Sequence, residues 1–333
     1  MIRSAAVRRG LEAVAAAALL LVLAVSAGQA ASPAGVPEPV GSAAGAGRAL
    51  FTYYDFRSPN PEGGYCEAQV FGPRGPIAEP INALFCLTTF GLGLLGLFRS
   101  KRTSMAFQFL FGLLAAYGLF AALYHATLMN GLYRMKDVAI SMVQSFVIIM
   151  LFHSLYLYRV KQQGRDSARG YRAFASVMTL AFTAYPAAVH VAGESSASPW
   201  VAWLVFDLLW ILIAVQLVLI WRRRFTWPRT RPDARVFLLV WFAIGCTALA
   251  YAGWCADKFL CRADTPVLAF LSLHGWWHFF MGLCFYYLIT LCRYFSAHEY
   301  GFEPIFERVP ARGPLRLSFV EWQSRRQTAA PEG

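Results

Sequence analysis

The chain has 333 residues, 58% of them hydrophobic and only 14% charged, and a formal net charge of +12. A soluble domain carries roughly a quarter charged residues, so this deficit, with a mean hydropathy of +0.47, excludes an ordinary soluble fold. The arginines sit in short connections between apolar runs, so the basic balance reports membrane orientation and argues against nucleic-acid binding.

Arg3, Arg8 and Arg9 precede an apolar stretch from Val14 to Val25 and the small residues around Ala30. This is the pattern of a secretory signal peptide, expected over residues 1–30. A flexible linker rich in Pro, Gly and Ala is expected over residues 31–62. The transmembrane domain follows over 63–295, and 296–333 form a cytoplasmic tail. The spans are placed at Ile77–Phe98, Met105–Leu128, Val138–Tyr158, Tyr171–Val191, Val201–Trp221, Val236–Trp254 and Pro266–Leu291. Each holds about 20 residues, enough to cross roughly 30 Å of hydrocarbon as a helix. The expected fold is therefore an all-α membrane protein, a bundle of about seven transmembrane helices.

Orientation follows from the connections. Arg99, Lys101 and Arg102 lie in the first, Arg159, Lys161, Arg165 and Arg169 in the third, and Arg222, Arg223, Arg224, Arg229 and Arg231 in the fifth. The fourth has no basic residue, and the sixth balances Lys258 and Arg262 against Asp257 and Asp264. Basic connections stay cytoplasmic, which puts the N-terminus outside and the C-terminus inside. Arg134 and Lys136 in the second connection are a mild exception.

Ionisable residues at membrane depth are costly and mark function. Glu67, Glu79, His125, Asp137, His274 and His278 all fall toward the outer half of the membrane in this topology, with His274 and His278 two to three turns into the last span. His153 falls near the cytoplasmic side, and His190 reads as interfacial. His274 and His278, at i and i+4, face one side of a helix and can reach one metal ion. His125 would add a third ligand and leave one tetrahedral position open, the arrangement of catalytic zinc. Such a metal lowers the pKa of bound water and polarises a carbonyl, and Asp137 is the candidate carboxylate for moving protons. Asp207 either lines the same cavity or bonds a neighbouring helix. Tyr124 is a candidate for the cavity wall. Trp276 and Trp277 read as packing or interface anchors as readily as substrate contacts. Of seven cysteines, Cys86, Cys246, Cys284 and Cys292 read as packing residues, while Cys66, Cys255 and Cys261 lie where a disulfide can form.

Several segments in order resemble the alkaline ceramidases. Tyr65-Cys66-Glu67 and Ile77-Ala78-Glu79-Pro80-Ile81-Asn82 resemble that family's WCE and IAEFxN elements. Tyr124-His125-Ala126-Thr127-Leu128 resembles its FHxTL element, and Cys255 to Cys261 followed by His274 to His278 resembles its (I/A)DxxxC and HxWWH stretch. The resemblance implies a seven-span zinc-dependent hydrolase acting on the N-acyl amide of ceramide or a related lipid, with the active site on the extracytoplasmic side. It implies His125, His274 and His278 as zinc ligands. It implies Glu67 and Glu79 as calcium ligands, with Gln69 where the family has Asn, and a Cys66–Cys261 disulfide. The chain departs from the family at Ala121, where a Ser is usual, at Lys136, where the Asp is usual and Asp137 follows, and at Gly64, where the calcium site has an Asp.

Two other readings stand beside this one. The GPI-lipid remodelling esterases share the His, Asp and HxxxH arrangement, and His153-Ser154-Leu155-Tyr156-Leu157 resembles a segment of theirs. A non-catalytic zinc-containing lipid sensor, similar to the progestin and adipoQ receptors, is favoured by Ala121. No obligate protein partner is evident in the sequence.

Overall fold

The structure, a computed structural model, describes residues 77–100, 104–163, 199–225, 234–260, 271–300, 302–309 and 317–323. The proposed signal peptide and linker, the fourth expected span, Cys66, Glu67, Gln69, His190 and Cys261 lie outside these residues. The described helices are α1 (Pro80–Arg99), α2 (Met105–Thr127), α3 (Asn130–Gln163), α4 (Pro199–Phe225), α5 (Ala234–Leu260) and α6 (Leu273–Tyr300). A hairpin follows, β1 (Glu303–Val309) and β2 (Leu317–Gln323). Among the described residues, five helices are long and apolar enough to cross a bilayer: Pro80–Arg99, Met105–Thr127, Gly131–Ser154, Leu238–Asp257 and Leu273–Ala297. In α4 the shorter run Phe206–Leu219 is apolar. Hydrocarbon offers the backbone no partners, so each span satisfies its own amides as a helix. Leu84, Phe109, Leu123, Leu238 and Leu249 are exposed around the outside, as a lipid-facing surface requires.

Two helix starts differ from the sequence reading. α3 begins at Asn130, so Asp137 stands about two turns inside the helix instead of opening it. Hydropathy marks only the apolar part of a helix, and this one extends through its polar first turns. α6 begins at Leu273, so His274 lies in its first turn and not two to three turns deep. The chain breaks at Ser272, whose φ of 45° is left-handed, and the Ser272 hydroxyl donates to Asn82 Oδ1 at 2.5 Å. An apolar count cannot register that break.

Packing is close where side chains are small. A Cβ on Gly118 would lie 2.3 Å from the Phe90 nitrogen, and one on Gly93 would lie 2.3 Å from the Ala115 nitrogen. Backbones of α1 and α2 thus approach as small residues allow in membranes. α6 is the central helix, with every residue from Cys284 to Ala297 buried. At the far end of α6 from its histidines, buried Arg293 donates to Val320 O at 2.9 Å and to Ser100 Oγ at 2.7 Å. The tail expected after residue 295 is therefore partly a docked antiparallel hairpin, with Phe306 opposite Val320 and Phe306 packed on Tyr294.

The α1–α2 contact is testable. Gly118→Val should lower the unfolding temperature in detergent, at an overpacking cost of about 1–3 kcal/mol or more. Gly112→Val makes the same change in helix propensity with open space around it and should be far milder. Equal melting temperatures for the two variants would refute close packing at Gly118.

Candidate metal centre

Three imidazoles meet at one end of the bundle. His125 lies in the last turn of α2, and His274 and His278 lie on the first turns of α6. The Nε2 atoms of His125 and His278 are 2.9 Å apart, and those of His278 and His274 are 3.1 Å apart. All three side chains are buried. Nitrogens bound to one tetrahedral zinc at about 2.0–2.1 Å would lie roughly 3.3 Å apart, close to the two spacings that His278 makes with its neighbours; the rings of His125 and His274 are 5.2 Å apart centre to centre.

The start of α1 holds this arrangement in place. The amides of Ala78 and Glu79 donate to the carbonyls of Ala126 and His125, both at 3.0 Å, which satisfies groups that a helix C-terminus leaves open. This brings the Glu79 carboxylate, fully buried, to 2.5 Å from His125 Nδ1. Asn82 Nδ2 donates to the same Glu79 oxygen at 3.2 Å, and the Asn82 carbonyl is held by Ser272. A second tie runs from Thr89 Oγ1 to the carbonyl of His278 at 2.9 Å. Tyr117 places its hydroxyl 2.8 Å from His278 Nδ1.

The donor set fits a cation. An ionised carboxylate only accepts hydrogen bonds, so with Glu79 ionised a neutral His125 ring would carry its proton on Nδ1, facing Glu79, and its lone pair on Nε2. A proton on His278 Nε2 serves one of its two neighbours well, whereas a cation between them serves all three. Glu79 Oε1 is buried with no hydrogen-bond partner among the described residues, an anionic atom that nearby positive charge would stabilise. Cys86, His125 and His278 form a buried group whose ligand atoms all lie within 4.8 Å of one another and could hold a metal ion.

The other candidates are spread around this group. Asp137 pairs with Lys136 at 2.7 Å. Lys136 is itself buried and lies 4.2 Å from the Tyr133 ring centre and 5.5 Å from that of Tyr124. Tyr124 packs edge-on to His125 at 5.0 Å. Trp277 lies parallel to His274 at 5.9 Å. Asp207 accepts a hydrogen bond from Tyr251 of α5 at 2.9 Å. His153 lies sixteen residues beyond Asp137, roughly 24 Å along α3.

Tyr117 and Cys86 carry no obvious signal in the sequence, yet both sit at helical spacing from residues that do. Tyr117, Ala121 and His125 recur at every fourth position, and Cys86 follows Glu79 by seven, so each shares a face with its neighbour. Cys86, read from the sequence as packing, stands among the histidines.

A family model described as Ceramidase matches residues 62–308, a range that includes every described helix and the histidine cluster. None of the curated proteins matches the chain.

Glu79→Gln keeps the shape of the side chain but removes its charge. Partners that orient metal-binding histidines typically matter 10–100-fold in affinity. Competition with a chelating dye should show a loss of about that size; unchanged affinity would separate Glu79 from the metal centre.

Proposed function

This chain belongs to the ceramidase family, and on that premise we propose that it is a zinc-dependent hydrolase cleaving the N-acyl amide of ceramide or a related lipid. The observation that carries the reading is the convergence of three buried imidazole Nε2 atoms at one end of a membrane bundle. When bound there, zinc would polarise the amide carbonyl and make water a nucleophile near neutral pH.

The chain's own groups divide the remaining work. His125, His274 and His278 hold the metal, and Glu79 keeps the His125 ring oriented with Nε2 inward. Asp137 moves protons between water and the leaving amine, and it pairs with Lys136 at 2.7 Å at this end of α3. Ala121 offers no hydroxyl to the carbonyl oxygen. The buried ammonium of Lys136, paired with Asp137, is the group assigned to favour negative charge developing there. The acyl chain lies between helices, where exposed apolar side chains meet lipid. Basic residues close α1 and α4 at the other end, Arg99 and Arg222 among them, which supports an extracytoplasmic active site.

A second reading, lipid binding without turnover, draws on Ala121, which is buried one turn before His125 where the family has its Ser. Fatty acid release from a panel of N-acyl sphingoids, with zinc measured on the same detergent-purified sample, decides between them. Release should track zinc content, vanish on chelation and vanish in His278→Ala. Free amine as the co-product identifies amide cleavage, and free alcohol would move the assignment to an esterase. One zinc per chain with no release from any substrate would refute hydrolysis.

A further inference from the structure

Tyr117 precedes His125 by about two turns on one face of α2. Its side chain is buried, and its hydroxyl stands 2.8 Å from Nδ1 of His278 on α6. The two rings are tilted, with centres 6.0 Å apart, so the contact is made by the hydroxyl and not by stacking. From α1, Thr89 Oγ1 donates to the carbonyl of the same His278 at 2.9 Å. Gly282 leaves the space for that approach, since a Cβ there would lie 2.3 Å from Thr89 Oγ1. One histidine is thus gripped from two helices, at its ring by α2 and at its backbone by α1.

The ring contact has a chemical consequence. A neutral imidazole has one nitrogen that donates and one that accepts. His278 can offer a lone pair at Nε2, the atom facing His125 and His274, only when its proton is on Nδ1. That proton then needs an acceptor, because a buried donor without one is costly. A phenol oxygen supplies it without placing another carboxylate at membrane depth. The same hydroxyl can donate when the proton sits on Nε2 instead, so the bond survives in either tautomer and a bound cation sets its direction.

We propose that Tyr117 is a positioning residue for His278: its oxygen accepts the Nδ1 proton in the metal-bound site, turns Nε2 toward the ion and holds the ring there. The proposal rests on the metal-centre reading above. It adds no ligand, so the fourth coordination position stays open for water or a lipid carbonyl. His125 and His278 are then oriented by different groups, the carboxylate of Glu79 and the phenol of Tyr117.

Tyr117→Phe keeps the ring and removes the one oxygen in question. The probe is cobalt(II) titrated into the detergent-purified full chain, with affinity read by competition and the visible absorption of tetrahedral cobalt recorded on the same sample. Groups that orient metal-bound histidines typically matter 10–100-fold, so affinity should fall about tenfold or more, and the visible bands should shift as the His278 ring turns. Tyr286→Phe is the matched control. Tyr286 is a buried tyrosine of α6 whose hydroxyl has no hydrogen-bond partner among the described residues, and its loss should leave both readings at wild-type values. Tyr117→Met, apolar and adaptable, serves if the Phe variant does not fold. Wild-type affinity and spectrum in Tyr117→Phe, even with a lowered melting temperature, overturn the positioning role and leave the metal centre standing. An equal loss in Tyr286→Phe overturns it as well, since the effect would then follow from any missing core hydroxyl. Failure of the wild type to bind cobalt or zinc overturns the metal centre and the role of Tyr117 together.

Discussion

Glu79 meets His125 where the start of α1 crosses the end of α2, and much of the site hangs on that contact. The carboxylate is fully buried, which would be unfavourable without a partner able to return the lost hydration. His125 Nδ1 supplies one, at 2.5 Å, and backbone pairs on either side lock the register of the two segments. When ionised, the carboxylate can only accept, and it would then also select the tautomer of a neutral ring. An electrostatic necessity of burial thereby becomes an orientation of Nε2 toward the other two histidines.

The rest of the bundle keeps that crossing in register. Close approach of α1 and α2 at Gly93 and Gly118 sets the distance between Glu79 and His125 from within the membrane. α6 brings two histidines up to them, tied to α1 through Thr89 and through the Ser272–Asn82 bond. At the opposite end Arg293 joins α6 to the α1–α2 connection and to the C-terminal hairpin. α6 is thus fastened at both ends, and the histidine pair has little freedom to move along its axis.

The departures from the family pattern gather at this same end. Ala121 removes a hydroxyl one turn from His125, and Lys136 puts a buried ammonium where the family has an acid. Cys86 adds a thiol beside the histidines. These changes alter charge and donor chemistry around an unchanged trio of imidazoles. On the proposed reading, the residues that would hold the metal follow the family's pattern while those that would act on a substrate depart from it.

The sequence by itself determined the membrane class, the five long spans that the structure bears out and the membership of the family, because hydrophobic length and short motifs are local properties. It also put His274 and His278 on one helix face, since helical periodicity requires it. Glu79 shows the limit: its motif was legible, but its contact with His125 joins residues 46 apart in the chain. Tyr117 and Cys86 had no motif at all, and His274 lost its expected depth to a break at Ser272 held by a bond across 190 residues. Which helix faces which, and at what height, is set by close packing of small residues and by buried hydrogen bonds between distant segments. Neither leaves a periodic trace along a single strand of sequence, so only the tertiary structure decided them.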